Sequence, residues 1–377
     1  PLAALASPPA DPVSFSPDPA AGPALRVGVV EGDEAYQFTA LAGGARLADG
    51  SYVVLERPSR TLRFFDPEGR HLRTVGGSGD GPGEFRNPSL LHVLPGDTLL
   101  VLDQQQQRLH WFAPDGAFLR DAALSGVGAE LRVSWAAPAP AGGLYLAGAE
   151  LMMPGPDLRS GRIRGEAEVL HWRPGTSARS VGRFPGGETE IRATTQSGEL
   201  VAIEVMNYWF LARLAHARGE HGVWTTDGIT PEITLRGDEG ERTLVRFTGP
   251  LRPLDRAARD TVEGAALGRA PDEATRERLR TQHAETPYPE HIPPLADLFA
   301  DAAGRLWVAP TDLRSRNLPQ GMGRTLENWF VLAADGTPLG WVTLPSESRP
   351  LWASDDGVLL VRMDALEIPF LEWWPAR

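Results

Sequence analysis

Thr61-Leu62-Arg63-Phe64-Phe65-Asp66-Pro67-Glu68-Gly69 recurs as Arg108-Leu109-His110-Trp111-Phe112-Ala113-Pro114-Asp115-Gly116, and again as Asn328-Trp329-Phe330-Val331-Leu332-Ala333-Ala334-Asp335-Gly336. Weaker copies are Glu232 to Gly240 and Leu170-His171-Trp172 followed by Pro174-Gly175. Each copy reads as a short strand of β-branched and aromatic residues ending in a Pro/Asp/Gly turn. Ahead of each lies another strand pair about a tight turn, as in Leu47-Ala48-Asp49-Gly50-Ser51-Tyr52 and Leu94-Pro95-Gly96-Asp97-Thr98-Leu99. Ala141 to Leu146, Gly222 to Trp224, Ala303 to Val308 and Asp356 to Val361 continue the series to six units. Four-strand antiparallel units repeating every ~40–50 residues predict an all-β fold, a six-bladed β-propeller.

The sixth unit is short, with one more strand at about Glu367 to Trp373 before Arg377. Its missing strand is expected from Leu25-Arg26-Val27-Gly28-Val29-Val30, closing the ring and removing an exposed edge. Residues 1–24 are rich in proline and alanine and read as an extended tether; residues 25–377 form the propeller. Leu2 to Ser7 has the small-residue character of the end of a secretory signal, so an exported, periplasmic or extracellular location is expected.

Composition removes several chemistries. Cysteine is absent, and all 37 basic residues are arginine. Thiolate nucleophiles, disulfides, Cys-ligated metal, phosphate-loop lysines and lysine Schiff bases are therefore excluded. With 49 acidic residues the net charge is −12, which argues against nucleic-acid binding. No apolar run approaches the length of a membrane-spanning helix.

The junction Gly79-Asp80-Gly81-Pro82-Gly83-Glu84-Phe85-Arg86-Asn87-Pro88 resembles that of the NHL-like six-bladed propellers, whose blades share Gly-Pro-Gly-x-Phe-x-x-Pro. Gly304 to Val308 and the helical stretch before it fit a bacterial exported branch of that group. The resemblance covers roughly residues 25–377. It implies the fold and leaves the activity open, since such propellers include binding modules, lyases and lactonases.

Propeller loops fall on two faces. The turns joining first to second and third to fourth strands are short here, whereas the other face is expected to carry every long insertion: 150–168, 186–207, 249–293 and 311–327. The insertion at about 249–293, between blades four and five, reads as helical, with runs from Asp255 to Val262 and from Asp272 to Arg280. Met152, Met153, Arg159, Arg162, Arg164, Arg314, Arg316, Met322 and Arg324 cluster on two of these insertions. Adaptable methionines and forked arginines would suit a protein or an acidic small molecule. Trp352, near a first-strand start, is the aromatic candidate beside the channel mouth.

An enzymatic alternative, a metal-dependent lyase or hydrolase, would place a divalent metal in the channel, with His92, Asp301 and Asp355 as its candidate ligands; no other cofactor is implied. No His-Glu-x-x-His pair and no Gly-x-Ser-x-Gly elbow occurs. His110 and His171 occupy equivalent repeat positions, and His216 and His221 are expected on the tight-turn face around Arg218-Gly219. The sequence thus favours a non-catalytic binding or scaffold propeller working through its inserted-loop face. A fixed subunit of a larger envelope complex is the remaining alternative.

Overall fold

The computed structural model describes residues 13, 15–18, 20–124, 127, 131–140, 142–150, 160–196, 199–206, 213–246, 250–316 and 324–376. The recurring Pro/Asp/Gly segments are reverse turns between antiparallel strands. Gly50, Gly69, Gly116, Gly175 and Gly336 hold φ between +81° and +89°, a region that a Cβ disfavours. Asp66 fixes its turn by accepting the backbone N–H groups of Glu68 and Arg70. Asp115 and Asp335 do the same for Ala117 and Thr337.

The strands make six sheets. After β1 (Leu25–Val27), blade one contains β2 (Leu41–Arg46), β3 (Tyr52–Glu56), β4 (Thr61–Phe65) and β5 (His71–Gly76). Blade two contains β6 (Pro88–Val93), β7 (Leu99–Asp103), β8 (Arg108–Phe112) and β9 (Phe118–Ala123). Blade three contains β10 (Leu131–Pro138), β11 (Leu144–Glu150), β12 (Gly161–Trp172), β13 (Arg179–Gln196) and β14 (Glu199–Met206). Blade four contains β15 (Ala215–Arg218), β16 (Val223–Thr226), β17 (Glu232–Gly237) and β18 (Gly240–Arg246). Blade five contains β19 (Leu295–Ala300), β20 (Leu306–Pro310), β21 (Asn328–Leu332) and β22 (Pro338–Thr343). Blade six contains β23 (Ser348–Ser354), β24 (Gly357–Met363) and β25 (Pro369–Pro375), and takes β1 as its outer strand.

The expected closure is therefore present: Leu25, Arg26 and Val27 pair with Trp373, Glu372 and Leu371. Beneath it, Glu372 is fully buried, accepts the Trp374 indole N–H at 2.9 Å, and faces Arg26 and Arg362. Gly69 is required here as well, because a Cβ at that position would lie 2.8 Å from Leu25 Cδ1.

Apolar cores fill the gaps between successive blades. Leu62, Phe64 and Leu99 lie between blades one and two, and Trp307, Trp329 and Leu360 between five and six. Phe85, from the Gly-Pro-Gly-x-Phe junction, is fully buried in the first of these cores. Part of the proline- and alanine-rich segment is packed rather than free: Val13 and Phe15 are buried against blades five and six, and Pro17 bridges to Ala376.

Blade three departs from the expected layout. Residues 161–168 belong to β12 and 186–196 to β13, so these stretches are not loops. The two strands pair from Gly161↔Ile191 to His171↔Arg179, making a long hairpin. β14 adds a fifth strand along the distal part of β13, from Glu190↔Met206 to Gln196↔Glu199. Alternating polar and apolar residues in Arg162-Ile163-Arg164 gave the strand period, which the arginine cluster obscured.

The insertion between blades four and five holds helices α1 (Arg256–Gly268) and α2 (Glu273–Glu285). Asp255 and Asp272 cap them by accepting the N–H of Ala258 and Thr275. Leu254, Ala258, Val262 and Ile292 of the insertion form a small core with Leu313, from the segment after β20.

The closure generates a prediction. Val27 is 4% exposed among Leu371, Val361 and Trp373. Val27→Asp buries an unpaired carboxylate there and is expected to cost about 3 kcal/mol or more. A lowered urea midpoint would show it; an unchanged midpoint would mean that closure by β1 does not limit stability.

Candidate functional site

The inner strands β2, β6, β10, β15, β19 and β23 surround a central cavity of about 710 Å³, lined from all six blades. Its lining includes Leu47 and Ala48, Pro95 and Asp97, Asp301 and Ala302, and Asp356, all from turns that follow first strands. The cavity thus reaches the tight-turn face, opposite the long insertions. Blade one lines it with Gly43 and Gly44 beside Ala42, Ala45 and Arg46. Gly43 is dictated by packing, since a Cβ there would lie 2.8 Å from Leu91 Cβ.

The walls mix aromatic, aliphatic and polar groups. Trp135 meets His92 edge-on at 5.9 Å between ring centroids and lies 6.0 Å from His216. Trp352 stacks at a tilt on Trp373, and Leu91, Leu351 and Phe299 complete the apolar surface. His92 Nε2 and both ring nitrogens of His216 are buried without a hydrogen-bond partner among the described residues. Burial holds each imidazole at a pKa of about 4, with Arg218 near His92 and Arg236 near His216 adding to the shift. Both rings are neutral at physiological pH and can each accept or donate one hydrogen bond.

Deeper in the channel lie Asp297 and Arg349, with Arg324 and Arg213 lining a small adjoining pocket. Burial pushes the Asp297 carboxyl up, against the pull of Arg349 and Arg324. Burial brings Arg324 down to about 10, with Arg213 contributing, so it stays charged.

The residues singled out from sequence are dispersed. Met152, Met153, Arg159 and Met322 lie outside the described residues. Arg162 and Arg164 are strand residues on β12. Arg162 donates to the Pro287 carbonyl at 2.8 Å and faces Glu188 and Glu190. Arg164 donates to the Gly186 carbonyl and pairs with Asp227 at 2.6 Å. Arg316 is held by Glu347 at 2.7 Å and Glu367 at 2.6 Å. Arg314 is exposed beside a second cavity of about 470 Å³, with Arg269 and Glu347. Trp352 is brought to the lining of the channel, and Arg324 to the small pocket that also holds Arg213.

The three metal candidates do not form a ligand set. Asp301 accepts the Arg305 side chain at 2.5 Å and the Trp307 indole at 3.0 Å, and Arg305 also binds Asp355 at 2.7 Å. Among the described residues no three His, Asp or Glu side chains converge as a metal site. His216, expected beside a solvated turn, instead lies on the inner strand β15 within the cavity lining. Trp135, Asp297, Arg349 and Arg213 were not singled out; the register that aligns His92 with the other inner strands was the available signal.

No protein-family model matches the sequence, and no curated protein is similar to it. Solved structures with a similar chain path include a Bacteroides fragilis protein described as exported (10% identity, 94% of each chain, TM-score 0.46). A Bacteroides vulgatus protein of the DUF4221 family matches at 10% identity over 93% of this chain and 95% of that one, with TM-score 0.49. A gluconolactonase of Xanthomonas campestris matches at 13% identity over 97% and 98%, with TM-score 0.45.

The two imidazoles set a pH dependence. An unfolded histidine titrates near ~6.5, whereas these titrate at about 4 when folded. Between those values the unfolded chain binds more protons, so stability is full above about pH 6.5 and falls as pH drops toward 4. At about 1.4 kcal/mol per pKa unit, each histidine should account for a loss of up to about 3 kcal/mol. Urea midpoints measured down this range should fall, and His92→Gln with His216→Gln should flatten the curve. Equal slopes in both proteins would contradict the assignment.

Proposed function

We propose that the protein is a non-catalytic, NHL-like binding propeller of the cell envelope that takes a small molecule into its central channel from the tight-turn face. The observation that carries this reading is the cavity of about 710 Å³, lined from all six blades, whose wall sets Trp135 and Trp352 among His92, His216, Asp297 and Arg349. Ligand pockets combine an apolar surface with a few fixed polar groups in this way. The buried Phe85 junction and the small-residue N-terminal segment support the family resemblance and the envelope location.

A second reading places a protein or acidic partner on the inserted-loop face. The cavity of about 470 Å³ beside Arg269 and Arg314 favours it. Against it, Arg162, Arg164 and Arg316 are already engaged by their own chain.

Ala48 and Ala302 are exposed residues on the channel rim, so Ala48→Trp with Ala302→Trp narrows the mouth without entering the core. In a thermal-shift screen with a diverse fragment library, compounds that bind the native state raise the melting temperature. Those shifts should vanish in the rim variant and persist in Arg269→Ala with Arg314→Ala. The opposite pattern would move the binding site to the inserted-loop face.

A further inference from the structure

The deep end of the channel is electrostatically unbalanced. Arg213, Arg324 and Arg349 form no side-chain hydrogen bond or ion pair among the described residues, and Arg349 Nε is buried without a partner. Asp297 is the carboxylate that acts on both Arg349 and Arg324, and Arg213 acts on Arg324 in turn. Ionised Asp297 would leave two positive charges uncompensated; protonated Asp297 would leave three. Arg213 keeps much of its surface open, whereas Arg324, Arg349 and Asp297 are half-buried.

This arrangement is unusual for this chain. Acidic residues outnumber arginines 49 to 37, and elsewhere many guanidiniums have taken carboxylate partners, as Arg305 and Arg316 have. Withholding a guanidinium from water without a partner is unfavourable, and a ligand anion relieves that cost. Arginine also offers the planar fork that binds carboxylate or phosphate through two parallel hydrogen bonds.

We infer that the channel ligand is a small organic acid, with its anionic group at Arg349, its apolar body along Trp135 and Trp352, and the Arg324 charge acting on the anion from the small pocket beyond Asp297. The cavity supplies both halves of that recognition. Arg349 lies in the same lining as Trp135, Leu351 and Trp352, so one molecule can touch the charged end and the aromatic wall together. Carboxylate and phosphate share the chemistry required.

This inference rests on the channel being the binding site, and its test separates the two claims. Calorimetric titrations would compare a panel of aryl and alkyl carboxylic acids, 2-naphthylacetate among them, each with its matched amide. Aryl and alkyl phosphates would form a second arm that distinguishes the two sources of anion. Acids of at least one arm should bind at least tenfold more tightly than their neutral counterparts. Arg349→Gln and Arg324→Gln should each reduce that preference severalfold while leaving binding of the amides unchanged. Because each variant removes an uncompensated charge, its melting temperature should match or exceed that of the parent, so lost binding would not reflect lost folding. Equal affinity for acids and amides would overturn the acidic ligand and leave the channel site standing. A preference that survives both variants would overturn the role of the two guanidiniums. No binding across the whole panel would count against the channel itself.

Discussion

Closing a ring of six sheets requires the last blade to acquire a strand from the first part of the chain, and the three residue pairs of β1 with β25 meet that requirement. Without them β25 would present an open edge, and blades one and six would lose the wall they share. Tyr52 and Phe65 of blade one, and Leu359 and Trp373 of blade six, belong to one core with Val27. The channel geometry depends on this closure, because its lining is drawn from all six inner strands and no single blade encloses it. Phe15 adds to the closure from outside, lying over the Arg305 guanidinium at 3.5 Å and against Trp307.

A second device recurs within the blades. Glu56, at the end of β3, accepts the N–H groups of Thr39, Ala40 and Ser59. Asp103, at the end of β7, accepts those of Arg86, Asn87, Gln105 and Gln106. Asp227 and Asp364 serve Ile229 and Thr230, and Leu366 and Ile368, in the same way. Each carboxylate satisfies loop donors that would otherwise be left unpaired. Part of the acidic surplus is thus structural, consumed where strands end. The carboxylates committed to these loops are not available to neutralise the channel arginines.

The fold was legible in the sequence because its information is local. A left-handed glycine, a capping aspartate and a strand of β-branched and aromatic residues all fall within one short window, and the window recurs. The closing strand follows from counting, and the helical insertion from the runs Asp255 to Val262 and Asp272 to Arg280, the second with acidic residues in its first turn. The channel was not legible in that way, because it is assembled from one or two residues of each blade. The neighbours of His216 in sequence suggest an exposed turn, whereas the face of β15 on which it lies depends on register. Arg162 and Arg164 look like loop residues in sequence because a strand longer than its repeat counterparts has no local mark at the point where the repeat ends. The Gly-Pro-Gly-x-Phe junction marks architecture only: Phe85 is a plug between blades and is not itself part of the cavity lining.

The arginine-only basicity bears on the channel in a further way. Burial lowers the affinity of any cationic side chain for its proton, and a lysine starts closer to neutrality than an arginine does. Arg324 is brought down to about 10 by burial and by its neighbour Arg213, and still keeps its charge under physiological conditions. A lysine in the same surroundings would hold its proton less firmly, and would offer a point charge where the guanidinium offers an oriented fork. A chain of net charge −12 can therefore keep a positive interior. Its acidic exterior does not cancel that interior, because exposed charges are screened within about 10 Å at ordinary salt, whereas groups inside the channel are screened much less.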